Sequence, residues 1–156
     1  MPLYKTGIFV TIVLAMKNIV AFAQALADET RWRIVQLVFN EPLCICELAD
    51  ILDMPQSSVS SHVQVIKKAG LLESERCGKW IYYRLSENHR RLLQSVAEFF
   101  EVFPAGDAVL RADAKKASSR LAERDESCCP LPLGLAKLKP LVAKRQVRNS
   151  TQTTSK

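Results

Sequence analysis

Glycine is scarce in this chain, with 5 in 156 residues, and none lies in a glycine-rich run of the kind that cradles phosphate. Histidine is scarcer, with only His62 and His89, which disfavours a zinc site built on imidazoles. The cysteines lack the C-x-x-C redox spacing, and no serine sits in a nucleophile-elbow context. A barrel enzyme needs about 250 residues, more than the chain has. These absences together argue against an enzyme. A membrane helix needs about 20 apolar residues. The apolar stretch Ile8 to Met16 falls short of that and is broken at Lys17-Asn18. No membrane association is therefore expected, and a membrane-tethered regulator is the weaker alternative.

Five cysteines are an odd number, and no convincing secretory signal precedes them. A reducing, cytoplasmic setting is expected, in which thiols stay available as soft-ion ligands or redox groups. The net charge of +6 is placed unevenly. From Ser127 onward there are six basic residues and no acid, so the rest of the chain is neutral. A basic tail is weak evidence for nucleic acid, and a local cluster has to carry that argument.

The hydrophobic periodicity predicts mainly α structure with a small β-hairpin. Residues 1–17 are an apolar N-terminal extension, with Met16 as an alternative native start. Residues 18–103 are expected to form a winged helix-turn-helix with flanking dimerisation helices. Residues 104–129 are a charged helix ending in Cys-Cys, and 130–156 a basic disordered tail.

Within the central region, helices are expected over Asn18 to Ala27, Glu29 to Phe39 with Asp28 as N-cap, and Cys46 to Leu52. A turn at Asp53-Met54-Pro55 leads into a helix from Gln56 to Ala69, with Gly70 in capping position. Two strands follow, Leu71 to Arg76 and Lys79 to Leu85, joined at Cys77-Gly78. Helices over Glu87 to Phe103 and Asp107 to Glu126 complete the pattern.

The helix from Gln56 has a narrow apolar stripe of Val59, Val63 and Ile66. Its remaining face is Gln56, Ser57, Ser58, Ser60, Ser61, His62 and Gln64. Short hydroxyls and amides are poor helix formers, so their concentration here needs a reason. They suit a major groove, where they can bond base edges and phosphates. Lys67, Lys68, Arg76, Lys79 and Arg84 flank that face. Seven basic and three acidic residues lie between Gln56 and Arg91, a local excess of four in an otherwise neutral region. Double-stranded DNA is the expected partner.

Four segments carry a family resemblance: Ala25-Leu26-Ala27-Asp28-Glu29-Thr30-Arg31, Leu43-Cys44-Ile45-Cys46-Glu47-Leu48, Gln56 through Val63, and Gly78 through Leu85. Over about Phe22 to Phe100 the sequence resembles the ArsR/SmtB family of metal-responsive repressors. The resemblance implies a homodimeric winged helix with its recognition helix at Gln56 and its wing at Lys79. It also implies binding to an inverted-repeat operator without a cofactor. Ile19, Phe22, Phe99, Phe100 and Phe103 offer apolar surface for a two-fold interface.

By the same resemblance, Cys44 and Cys46 match the family's arsenic-type site, with As(III) or Sb(III) as inducer. A third cysteine found in many such members is Ala49 here, so Cys128 and Cys129 become the candidate suppliers of further sulfur, closing onto Cys44 and Cys46 or forming a separate site. Thiol oxidants, persulfides and soft divalent metals such as cadmium are the rival inducers. Residues at i and i+2 diverge on a helix but share a side in extended backbone, so chelation is expected to be easiest where the helix start is irregular or unwinds. The helix N-terminus is also expected to lower the thiol pKa values. Cys77, at the wing tip, is expected to be an exposed thiol outside the site.

Overall fold

The computed structural model describes residues 17–102, 106–125 and 129–130. Six helices and a three-stranded antiparallel sheet make up this part of the chain. Residues 17–26 form α1. They are followed by α2 (Glu29–Asn40), β1 (Leu43–Cys44), α3 (Ile45–Leu52) and α4 (Gln56–Lys68). The hairpin β2 (Leu72–Cys77) and β3 (Trp80–Leu85) leads to α5 (Glu87–Phe99) and α6 (Ala108–Ala122). This is the winged helix-turn-helix layout, in which α3 and α4 are the helix pair and β2–β3 the wing.

Local chemistry explains the boundaries. Asp28 accepts from the Arg31 N–H at 2.8 Å and starts α2. Asp53, in the left-handed region at φ 53°, ends α3. Gly70 at φ +78° ends α4, with the Gly70 N–H bonded to Lys67 O and the Leu71 N–H to Ile66 O. That pair of reversed bonds is the glycine-type C-terminal cap expected there. Ile34, Val35, Leu48, Ile51, Val59, Val63, Ile66, Leu71 and Leu85 are buried in one core beneath α2, α3, α4 and the sheet.

Several expected boundaries are corrected. The hairpin loop is Gly78-Lys79, because Cys77 already pairs with Trp80. Gly78 takes φ +60°, the first position of a two-residue turn. Helix α5 stops at Phe99, four residues early. Glu101 enters the left-handed region at φ 55° and the Val102 N–H bonds Ala97 O, a cap made without glycine. Helix α6 begins after its N-cap Asp107 and ends at Ala122 instead of Glu126. Strand β1 was not anticipated, being two residues long, and it pairs Leu43 with Tyr83 and Cys44 with Tyr82. The sheet order is β1-β3-β2. Phe103, Cys128, residues 1–16 and the tail from 131 lie outside the described residues.

Tyr82 and Tyr83 are both buried although they point to opposite faces of β3. Tyr83 belongs to the main core. Tyr82 belongs to a second, smaller cluster with Cys44 and Cys129.

Candidate metal centre and nucleic-acid interface

Cys44 is the last residue of β1 and the N-cap of α3, with extended backbone at φ −89°, ψ 169°. Cys46 is the second residue of the helix. The turn from strand into helix therefore lies between them, and their sulfurs approach to 2.7 Å. Of the two expected routes, an irregular helix start or an unwound one, the structure takes the first: Cys44 keeps extended backbone and the pair meets without unwinding. Cys129 Sγ lies 3.3 Å from Cys44 Sγ and 3.2 Å from Cys46 Sγ. Among the described residues these three are the group of potential ligands close enough to share one ion.

The surroundings fix the trio from three sides. Glu47 Oε2 accepts from the Cys44 N–H at 2.9 Å. Glu47 is fully buried and paired with Arg124, whose Nη2 also donates to Pro42 O at 2.6 Å. The Tyr82 hydroxyl donates to Pro130 O at 2.6 Å, beside Cys129. Arg120 Nη2 lies 3.7 Å from Cys129 Sγ. Cys44 and Cys129 are buried and Cys46 is half-buried, the most exposed of the three.

Burial pushes the Cys44 thiol up, reinforced by its contact with Cys46. Burial likewise pushes the Cys129 thiol up to about 12. The helix start does not outweigh desolvation, so the expected supply of thiolate near neutral pH is corrected to a set with Cys44 and Cys129 held as neutral thiols. Burial also raises the Tyr82 phenol, with Glu47 the next cause. Cys77 is half-buried, not exposed. It packs with Trp80 against the Cys44–Tyr82–Cys129 cluster without joining the three sulfurs.

Sequence reasoning missed Glu47, Tyr82, Arg120 and Arg124. The alternation of β3 could have flagged Tyr82, since its neighbour Tyr83 faces the core. No sequence signal links Arg124 to Glu47, 77 positions away.

The face of α4 away from the core carries Gln56, Ser57, Ser61 and Gln64 in the open, with Ser58 and Ser60 half-buried. Ser61 Oγ also donates to Ser57 O at 3.0 Å. His62 is half-buried and turned back, its Nδ1 3.6 Å from Asp28 Oδ1. It faces the start of α2 more than the open groove side. Lys67 and Lys68 lie in the last turn of α4, where cations complement the helix dipole. Lys67 Nζ donates to Ser74 Oγ at 2.8 Å. Arg76 Nε donates to Gly78 O at the wing tip, and Lys79 Nζ sits 4.6 Å above the Trp80 ring. Arg84 pairs with Glu73 at 2.7 Å and so has an internal partner.

Residues 28–74 match the bacterial regulatory protein, arsR family. An arsenic resistance transcriptional regulator of Pseudomonas putida is 43% identical over 63 residues, 40% of this chain and 49% of that one. An uncharacterized HTH-type transcriptional regulator of Methanocaldococcus jannaschii is 32% identical over 77 residues, 48% of this chain and 86% of that one. The match spans about half the length of the first curated relatives. The solution structure of a homodimeric winged helix-turn-helix DNA-binding domain from Mycobacterium bovis aligns with a TM-score of 0.51 at 28% identity. That alignment covers 55% of this chain and 83% of the other.

Proposed function

The chain belongs to the ArsR family of bacterial regulatory proteins, and from that premise we propose that it is a homodimeric transcriptional repressor induced by trivalent arsenic or antimony. In this reading α4 enters the major groove of an inverted-repeat operator and the wing contacts flanking phosphate. It acts in the cytoplasm, by binding and not by catalysis.

The observation that carries the inducer is the sulfur triangle, two corners from the start of α3 and one from beyond α6. Soft trivalent centres favour sulfur, as soft metals do. A centre bonded to sulfur at about 2.3 Å, the length of a Zn–S bond, with near-right angles separates its sulfurs by about 3.3 Å. Tetrahedral angles would separate them by about 3.8 Å at the same bond length. The two distances to Cys129 fit the smaller value, while the Cys44–Cys46 pair has to widen on binding.

Neutral thiols suit this ligand. Three As–O bonds of arsenite break and three As–S bonds form. Each thiol proton leaves with a hydroxyl group as water, and no oxidation state changes. Because α3 both starts at the thiol pair and packs on α4, a shift of its first turn on binding reaches the recognition helix. An ion that binds one arrangement of α3 better than the other shifts the protein off DNA.

The test is operator binding by the reduced protein, followed by fluorescence anisotropy during titration with arsenite, antimonite, cadmium, zinc or peroxide. Arsenite and antimonite should release the DNA at the lowest concentrations. Cys44→Ser and Cys46→Ser should retain DNA affinity and lose release, whereas Cys77→Ser should respond normally. Release of the Cys44→Ser/Cys46→Ser protein at the wild-type arsenite concentration would overturn the assignment, and preferential release by peroxide or cadmium would replace the inducer.

A further inference from the structure

Helix α3 presents Glu47 and Asp50, with Asp53 at its C-cap, at intervals of three. Helix α6 presents Lys116 and Arg120, and Arg124 follows just past its end, at intervals of four. The two helices pack together, and these side chains pair in antiparallel order: Asp53 with Lys116, Asp50 with Arg120 at 2.9 Å, and Glu47 with Arg124. Arg33 on α2 adds a forked pair to Asp113 at the other end of α6, at 2.7 and 2.8 Å. The register continues in one direction toward the thiols. Beyond Arg124 the chain returns at Cys129, seated over Cys44 and Cys46 and held by the Tyr82–Pro130 hydrogen bond.

Two of the three sulfurs are thus local to one strand-to-helix turn, and their closeness needs nothing from α6. The third sulfur comes from the chain beyond α6. We propose that the α3–α6 charge ladder is a specificity device, with Asp50, Asp53, Lys116 and Arg120 acting as positioning residues that make the site trithiol by docking Cys129. This rests on the thiol-site reading above. The chemical consequence is selective. A ligand that needs three sulfurs depends on the ladder, and a ligand that can take only two does not.

Two probes separate these cases. Arsenite exchanges three hydroxyl groups for three thiols and releases three waters. Phenylarsine oxide keeps its As–C bond, so it condenses with two thiols and releases one water. Asp50 and Asp53 are largely exposed, at 56% and 75% of their side-chain surface, so their replacement leaves the buried Glu47–Arg124 pair and the core in place.

The experiment measures binding of both probes to the reduced full chain by competition with a dithiol indicator. It compares wild type with Asp50→Asn/Asp53→Asn and, from the other helix, Lys116→Glu. Arsenite affinity should fall about three- to tenfold in both variants, the scale of losing one or two exposed ion pairs. Phenylarsine oxide affinity should stay within about twofold. Raising NaCl from about 0.05 to 0.5 M should weaken arsenite more than phenylarsine oxide in the wild type, because exposed pairs are screened. Equal loss of both probes would mean that the ladder only stabilises the fold, and no loss of either would mean that Cys129 docks without it. Both results overturn the proposal. If the Cys44→Ser/Cys46→Ser protein bound both probes as tightly as the wild type, the thiol site itself would be ruled out, and the ladder's role with it.

Discussion

Arg124 closes a two-bonded ion pair on Glu47, with Nε to Oε1 at 2.6 Å and Nη2 to Oε2 at 3.0 Å, in a place where the carboxylate has no solvent contact. The same carboxylate oxygen that meets Nη2 accepts the Cys44 N–H. One buried acid therefore joins the end of β1, the start of α3 and the chain beyond α6.

That arrangement predicts an asymmetric response to mutation. Glu47→Gln leaves the Arg124 guanidinium buried without its counter-charge and should cost about 3–5 kcal/mol of unfolding free energy. The double variant Glu47→Leu/Arg124→Met removes both charges and retains apolar volume. It should be clearly more stable than Glu47→Gln, losing chiefly the helix-start hydrogen bond, about 0.5–2 kcal/mol. Guanidinium unfolding of the reduced protein measures both. A double variant as unstable as the single one would show that the pair stabilises beyond its own charge balance.

The pH dependence follows from the thiols. Cys44 and Cys129 are held neutral by burial, and the Cys129 value reaches about 12. In the unfolded chain a thiol ionises near pH 8.5. The folded state therefore keeps protons that the unfolded state has already released. This contribution is fully present below about pH 8.5 and is lost as pH rises toward about 12. Unfolding midpoints of the reduced wild type should fall across that range more steeply than those of Cys44→Ala/Cys129→Ala. Parallel curves would show that the thiols do not differ between the two states.

Much of the fold was legible because strong local rules act in short segments. The stripe Val59, Val63, Ile66 followed by Gly70 defines α4 almost without tertiary information. Asp28 announces α2 in the same way. The errors came where no local rule acts. Glu101 takes a left-handed cap that glycine would have signalled, and β1 is too short to show a period. The site was half legible. Cys44 and Cys46 are two positions apart in sequence, but their mutual approach depends on the strand ending at Cys44 and the helix starting at Ile45. The pairing of Arg124 with Glu47 and the seating of Cys129 depend on how α6 packs, which no spacing encodes. Desolvation, also a tertiary property, raises the Cys44 thiol where the helix start was expected to lower it.

The oligomeric state is tested at α5. Phe99 and Phe100 are 80% and 66% exposed and meet edge to face at 4.9 Å, and Ile19 on α1 is 68% exposed. Three large apolar side chains left in water fit a two-fold contact between the outer helices. Phe99→Glu should shift the protein toward monomer at micromolar concentration in sedimentation equilibrium, and weaken operator binding with it. An unchanged dimer would place the interface elsewhere.

The nucleic-acid face divides into residues that should change affinity and residues that should change choice. Lys79 extends from the wing tip beside Trp80, so Lys79→Ala should weaken binding to every duplex. It should also flatten the dependence of log affinity on log salt by about 0.9 if one phosphate contact is lost. Gln64 is exposed on α4, and an amide can bond a base edge at two points. Gln64→Ala should lower the preference for operator over scrambled DNA by about 1–3 kcal/mol, with little change in salt slope. Arg84 already pairs with Glu73, and His62 is turned to Asp28. Their alanine variants should therefore disturb sequence preference less than Gln64→Ala. Anisotropy titrations of operator and scrambled duplexes across a salt series distinguish all four. If His62→Ala erased the preference while Gln64→Ala kept it, the groove-facing side of α4 would be the opposite one, and the recognition surface would have to be redrawn around Asp28 and the start of α2.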